Sequence, residues 1–353
     1  MRYFVWLFLI ILVVFRFFST RPTYSNGQKI RITDKVLTEP IRYPTTQRIT
    51  LAGLKIYLPT FPEIHYGDRI VVEGWVDGNK LKKAELINID ENQGVLFKTR
   101  KKLIGVFQKS LPEPHSSLVA GVALGSKSSL PARFWESLKL SGTAHVVVAS
   151  GMNVTLVASF LMGILVLFLP RRQAVLVALV GIWTYSLISG FDAPIVRAAI
   201  MGSLVFSAQA LGRLSSAARA LILSALAMLI IWPHWLTDLG FILSFVATAS
   251  LMLFERKVAR LVRFVPGIFR EGFSTSLAAQ IGVAPILFVT FGQFNLLSPI
   301  INALVLWTIP PITIIGGIGG IVGLIMPFFG KLILLLSYPL TSWFIWIVEL
   351  FSF

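Results

Sequence analysis

Between residues 143 and 352 the chain is almost continuously apolar, divided into stretches at 143–169, 173–189, 195–211, 217–232, 239–254, 273–291, 296–326 and 332–352. Lipid offers no partner for a backbone N–H or C=O, so stretches of this kind can span a bilayer only as helices that satisfy their own backbone. Several are shorter than the roughly 20 residues a full span needs. The stretch 296–326 is longer than one span, and it contains Pro299, Pro310, Pro311 and a GGIGG run at 316–320. It predicts a broken or tilted helix, or two short pieces. Composition agrees: 55% of residues are hydrophobic, 14% are charged, and the mean hydropathy is +0.78. A soluble domain carries about a quarter charged residues. The predicted fold class is a polytopic α-helical membrane protein.

The first 140 residues are organised differently. Residues 3–18, YFVWLFLIILVVFRFF, are apolar apart from Arg16, and the RFFSTRP that follows lacks the small-residue site a cleaved leader requires. An uncleaved anchor helix over residues 1–20 is predicted, with Arg16 snorkelling to one surface. In residues 24–92, QKIRITDKVL, QRITLAGLKIYL and DRIVVEGWV alternate or run β-branched, as strands do. VDGNK at 76–80 is a hairpin signal, and HYGDR at 65–69 is a second turn. Residues 21–93 are read as a small all-β domain of about five strands, a barrel of the OB type. Eleven Lys/Arg face nine Asp/Glu between Arg21 and Glu91, a balance that suits a solvated scaffold as well as a ligand-binding module.

Residues 94–140 form a linking segment. Its first part, GVLFKTRKKLIGVFQKS, carries Lys98, Arg100, Lys101, Lys102 and Lys109 and no acid. Leu96, Phe97, Leu103, Ile104, Val106 and Phe107 interleave with them. This pattern predicts a basic amphipathic helix lying in the membrane interface. Lipid headgroups are the first partner such a helix suggests, and nucleic-acid phosphate is the second.

The chain holds 32 Lys+Arg against 16 Asp+Glu, a net charge of +16. Much of the excess is topological. Arg171 and Arg172, Arg213 and Arg219, and the group Arg256, Lys257, Arg260, Arg263 and Arg270 alternate with loops free of Lys and Arg: SGFDAP, WPHWLTD and GQFNLLSP. The positive-inside rule places 171–172, 212–219 and 255–270 in the cytoplasm. Counting spans from a cytoplasmic Met1 independently puts the β-domain and the start of 143–169 outside.

There is no cysteine, which excludes disulfides and thiolate metal sites. The four histidines, His65, His115, His145 and His234, show no metal-ligand spacing. No metal and no cofactor are predicted. Polar groups recur within the apolar region, and such groups face a bundle interior or a watered cavity. His145, Ser150 and Asn153 would fall within an arc of roughly 140° on one helix, although Ser150-Gly151 could also unwind it. Asp192 and Arg197 flank Pro194, close enough for a mutual ion pair, and Asp238, Gln280, Asn295 and Asn302 stand at other span ends. Helix–helix hydrogen bonding accounts for any one of them; the set together suggests a lined pathway.

These residues carry a resemblance. SGTAHVVVASGMNV at 141–154 resembles the Ser-Gly-x-x-His, Ser-Gly-x-His-Val motif of the ComEC family of competence proteins. ALGSKSSLP at 123–131 is similar to the family's Leu-Gly-Asp-Arg-x-x-Leu-Pro turn, and SGFDAPIVRAAIM at 189–201 to its Gly-Phe…Arg-Ala segment. LTDLGFILSFVATASL at 236–251 resembles its Asp-x-Gly-Phe-x-Leu-Ser-Phe stretch, bringing in Asp238, Gly240, Phe241, Ser244 and Phe245. FNLLSPIINALVLWTIPPI at 294–312 resembles its Asn-containing segment, with Asn302. The match runs over about residues 24–350 in the family's order. It implies a bacterial cytoplasmic-membrane channel, not an enzyme, that passes one strand of DNA inward during natural transformation.

The resemblance also implies site residues and partners. His145, Ser150, Gly151, Asn153, Asp192, Arg197, Asp238 and Asn302 would belong to the membrane core at 141–353. Arg197 would meet phosphate, Lys98 to Lys102 would gather DNA, and Tyr57, Tyr66 and Trp75 of the OB-like domain are candidates for stacking on single-stranded DNA. Membrane lipids, a separate DNA receptor, a nuclease and a cytoplasmic motor are the other partners implied, since no GxxxxGK[ST] appears. Two departures stand out: the family's second histidine is Asn153, and its Asp-Arg pair is Ser126-Lys127. The chain also has no HxHxD run of the metallo-β-lactamase-like domain that many members carry, so the nuclease is expected to be a separate protein. A non-DNA transporter or scaffold of the same fold is the alternative. An intramembrane serine hydrolase built on His145 and Ser150 is a weaker one, because the two would point about 140° apart on a helix.

Overall fold

The computed structural model describes residues 2–20, 24–43, 45–91, 94–127, 130–148, 150–213, 216–292 and 295–352. Ala149 of the polar run, Ser128 and Ser129 of the Leu-Gly turn, and Gln293 and Phe294 of the GQFNLLSP loop lie outside the described residues.

Helix α1 (Arg2–Ser19) precedes six strands: β1 (Lys29–Lys35), β2 (Ile41–Arg42), β3 (Thr46–Leu51), β4 (Leu54–Pro59), β5 (Arg69–Asp77) and β6 (Lys80–Asp90). They form one sheet in the order β1-β5-β6-β4-β3-β2. All neighbours are antiparallel except β4 and β6, and β1 lies back against β3 across the open seam. The sheet therefore curls into a partly open barrel of the predicted kind. The strands alternate as a half-buried sheet must: Leu54, Ile56 and Leu58 of β4 point inward with Ile49, Ile70, Val72 and Leu81, while Lys55 and Tyr57 point out. The predicted hairpin is present, with Asp77 opposite Lys80 and Gly78 at φ 59.

Helices α2 (Val95–Ser110), α3 (His115–Leu124), α4 (Ala132–Leu140) and α5 (Ala144–Val147) follow. Then come α6 (Gly151–Phe168), α7 (Arg171–Ile188), α8 (Ala193–Ala210), α9 (Ala217–Ile231), α10 (Leu239–Leu261) and α11 (Gly267–Phe291). The last four are α12 (Ser298–Val305), α13 (Ile309–Ile325), α14 (Pro327–Leu335) and α15 (Tyr338–Leu350). Among the described residues five segments are long and apolar enough to cross a membrane: 144–168, which takes in α5 and α6, 193–210, 239–261, 269–290, and 298–325, which takes in α12 and α13. Helices α14 and α15, bent by 47°, make a sixth if they act together. The predicted stretch 217–232 becomes α9, whose 15 residues reach about 22 Å, short of the ~30 Å hydrocarbon core.

The stretch 296–326 is in two pieces, as expected: α12 and α13 are separated by a 3-10 turn over Leu306–Thr308, and the GGIGG run lies inside α13. The expectation for α2 needs correction. The glycines of α13 serve close packing. A Cβ on Gly320 would stand 3.0 Å from the Phe107 ring, and one on Gly323 would stand 2.5 Å from Val106. Consequently the apolar stripe of α2 is not left for lipid. Leu103 and Phe107 are buried against α13 in the largest core cluster, which also holds Val119, Ile309, Ile312 and Phe344. Lys98, Lys101 and Lys102 remain exposed on its other face.

Candidate functional site

The site is built around the C-terminal end of α3. A helix leaves its last carbonyls without backbone donors. Here three successive carbonyls receive side chains from three other helices. Asn153 Nδ2 of α6 donates to Val122 O at 2.8 Å, Tyr185 Oη of α7 to Ala123 O at 3.1 Å, and Arg100 Nη1 of α2 to Leu124 O at 2.8 Å. A cation at this end also complements the helix dipole. Gly125 turns the chain out with φ 67, its N–H bonded to Gly121 O and that of Ser126 to Ala120 O, in a Schellman-type stop.

The β-domain docks on this junction. Glu39 contacts the Arg100 guanidinium and accepts from Ser126 Oγ at 3.2 Å. Arg100 also donates to Ile188 O, at the end of α7. The next residue of the turn, Lys127, is paired with Asp192 at 2.7 Å ahead of α8. Above them lies a cleft of about 340 Å³ between the β-domain and α2. Tyr66 packs there on Phe97, ring centres 5.3 Å apart, and under the Arg100 guanidinium, 5.6 Å from its ring centre. Burial pushes the Tyr66 phenol up to about 12, against a smaller opposing effect of Arg100.

The second half of the site lies where the polar run 141–159 breaks. Of the two options the sequence leaves open, one helix through His145, Ser150 and Asn153 or an unwinding at Ser150-Gly151, the second is found. Helix α5 stops at Val147, Val148 and Ser150 are extended, and α6 starts at Gly151. Arg197 of α8 meets this break. Its Nη1 donates to Ser244 O of α10 at 2.8 Å, and its Nη2 lies 2.6 Å from where a Cβ on Gly151 would be. Glycine at 151 is what lets the guanidinium reach the first turn of α6. Among the described residues no carboxylate pairs with Arg197, and Arg197 Nε, Ser150 Oγ and Asn153 Oδ1 are buried without a hydrogen-bond partner. The expected ion pair between Asp192 and Arg197 is absent because Lys127 takes Asp192.

The motif at 236–251 supports this arrangement. Asp238 caps α10, accepting from Phe241 N at 2.8 Å, with Gly240 packed beside its carboxylate. Phe241 is buried with Ala193 and Val196 and stacks on Phe245, 4.4 Å between ring centres. Ser244 offers its carbonyl to Arg197. Asn302 is buried elsewhere, donating to Ser276 Oγ at 2.7 Å and so fastening α12 to α11.

Other predicted residues are dispersed. His145 is exposed, and its ring makes no hydrogen bond with Ser150 among the described residues, so the two do not form a nucleophile–base pair there. Arg100 and Tyr66 are buried, which removes them from an outer DNA-gathering or stacking surface; Tyr57 and Trp75 are exposed. No group of three or more His, Asp or Glu converges as a metal site among the described residues. Sequence reasoning missed Glu39 altogether. It also missed the pairing of Lys127, 65 positions from Asp192.

A family model described as Competence protein matches residues 122–353. The chain is 26% identical over 221 residues to ComE operon protein 3 of Bacillus subtilis (strain 168), a match covering 62% of this chain and 28% of that protein. It is 26% identical over 223 residues to Competence protein ComA of Neisseria gonorrhoeae, covering 57% and 30% of the two chains. An uncharacterized protein of Aquifex aeolicus (strain VF5) is 31% identical over 214 residues, 58% of this chain and 49% of that one. The chain thus spans less than a third of the length of the first two relatives. No solved structure matches.

Proposed function

We propose that this chain, which belongs to the Competence protein family, passes single-stranded DNA across the cytoplasmic membrane of a bacterium during natural transformation. It is a multi-pass membrane protein. The observation that carries the reading is Arg197. A guanidinium among membrane helices is costly, and it is kept where it meets charge or water. Its hydrogen-bond partner is the Ser244 carbonyl, and it stands at the positive end of α6, where no acid among the described residues neutralises it. Two positive features facing one another at a broken helix form a favourable place for an anion. A DNA phosphate passing the break is an anion of the right kind.

The outer loops support the orientation. The turn at 125–127, Asp192 and the docked β-domain meet at one end of the helices, and Asp238 at the start of α10 adds its charge near Lys127. Charge alternation assigns the loops that hold Asp192 and Asp238 to the outside, and counting spans from a cytoplasmic Met1 assigns the β-domain there. The β-domain then receives the strand outside, and a receptor, a nuclease and a cytoplasmic motor act as separate partners.

The test is arrival of labelled DNA in the cytoplasm of a deletion strain carrying either the wild-type chain or Arg197→Gln, at equal membrane levels. Loss of a charge-assisted contact predicts a fall of about 10-fold or more, with DNA still held at the surface. Normal uptake with the variant would end the role assigned to Arg197. Uptake unchanged by the deletion itself would end the channel reading.

A further inference from the structure

The outward face of β3 and β4, together with the residue that follows β2, carries a second feature. Tyr43 and Tyr57 are exposed there, with ring centres 6.5 Å apart and ring planes inclined by 34°. Arg48 stands directly across from Tyr57 in the strand register, and Lys55 across from Thr50. On the far side of β4, Lys55 is in turn paired with Lys80 of β6. Charge on the domain is therefore segregated. Residues 41–62 hold Arg42, Arg48 and Lys55 and no acid, although residues 21–91 as a whole are nearly balanced. Arg42 is turned to Glu63. Among the described residues no carboxylate pairs with Arg48, Lys55 or Lys80. Another exposed aromatic of the domain, Trp75, is set differently. Trp75 lies between Lys29 and Lys82, and those two lysines are already held by Glu73 and Asp77.

We propose that this face binds single-stranded nucleic acid, with bases stacked on Tyr43 and Tyr57 and the backbone running along Arg48, Lys55 and Lys80. The proposal rests on the reading that the chain handles DNA and deepens it by assigning the residues that first hold the strand. Exposed ring faces offer nothing to a duplex, whose bases are already stacked on one another. A single strand gains both stacking and phosphate contact. Because every base has a π-face, the site selects strandedness and not sequence. Unpaired cations are the ones free to release counterions from phosphate, which gives binding here a salt dependence.

The experiment uses the full chain in nanodiscs of uncharged lipid, with fluorescence anisotropy of a labelled oligothymidine strand. Tyr43→Ala/Tyr57→Ala should weaken binding by about 10-fold or more, and Tyr57→Phe should keep most of it. Arg48→Ala/Lys55→Ala/Lys80→Ala should flatten the salt dependence by up to about two logarithmic units per decade. Trp75→Ala should leave affinity within about twofold, since its cations are engaged. A bromodeoxyuridine strand should photocrosslink to Tyr43 or Tyr57 in the wild-type protein, a result that does not depend on any variant folding. If wild type binds, the variants are unchanged and crosslinks map elsewhere, this face is wrong while DNA handling stands. If wild type binds no single strand at all, both fall together.

Discussion

Glu39 of the β-domain and Arg100 of α2 are in direct carboxylate–guanidinium contact, each side chain 6% exposed. The pair joins a soluble-type barrel to the helical part of the chain, and Arg100 extends the contact to the carbonyls of Leu124 and Ile188. A buried pair of this kind is weak evidence of net stabilisation, but removing one partner strands the other.

Glu39→Ala should therefore destabilise the protein by about 3–5 kcal/mol, read as a lower midpoint in thermal unfolding followed by tryptophan fluorescence. Glu39→Leu/Arg100→Met should recover part of that loss. The rest stays missing, because two carbonyls lose their donor. A midpoint for Glu39→Ala equal to wild type would mean that the two regions are held together by other contacts.

Gly151 makes a sharper demand on geometry. An alanine there would place its Cβ 2.6 Å from Arg197 Nη2 and 3.2 Å from Ala198 Cβ. Cβ atoms do not come that close, so the end of the Arg197 side chain must shift away from the first turn of α6. Overpacking of this kind costs about 1–3 kcal/mol, too little to unfold the chain, yet DNA uptake should fall as far as with Arg197→Gln. Gly163→Ala is the control, since nothing lies within 4 Å of its added Cβ. Equal uptake by the two alanine variants would show that Arg197 need not sit at the break.

How much of this was legible varies from residue to residue. The Asp77–Lys80 hairpin was, because a positive φ at Gly78 is a local requirement with a local signature. The apolar stripe of α2 was legible too, but not what covers it: periodicity shows that Leu103 and Phe107 share a face and is silent about Gly320 on the other side. Arg100 could have been found. It lies three residues before Leu103 and seven before Phe107, hence on the buried stripe and away from the solvated lysines. By composition alone it is one more basic residue among Lys98, Lys101 and Lys102. Glu39 had no such signal, since nothing around it indicates a partner 61 positions away. The break at Val148–Ser150 was foreseen as one option beside a continuous helix. The choice depended on Arg197 and on the end of α3, and both are long-range contacts. The acid-free run at 41–62 is visible in the sequence, but the approach of Tyr43 to Tyr57 depends on how the chain turns between β2 and β3.

Orientation gives the last prediction. The tip of the β5–β6 hairpin is exposed, and its turn is closed by Gly78 N donating to Asn26 Oδ1 at 2.9 Å, so a short protease site inserted after Gly78 should leave both strands paired. With the β-domain outside, that site should be cut in spheroplasts whose cytoplasmic membrane is intact. A site inserted after Gly212, between α8 and α9, should be cut only after lysis, because Arg213 beside it and Arg219 in the first turn of α9 are charges that hold this end inside. The two sites test each other. Both depend on the same count of spans, and an inverted chain would exchange the results, whereas a leaky membrane would expose both. Cleavage at 212 with protection at 78 would turn the chain over. The turn at 125–127, Asp192 and the tyrosine face of the barrel would then all stand in the cytoplasm, and a DNA strand would meet Arg197 from the exit side.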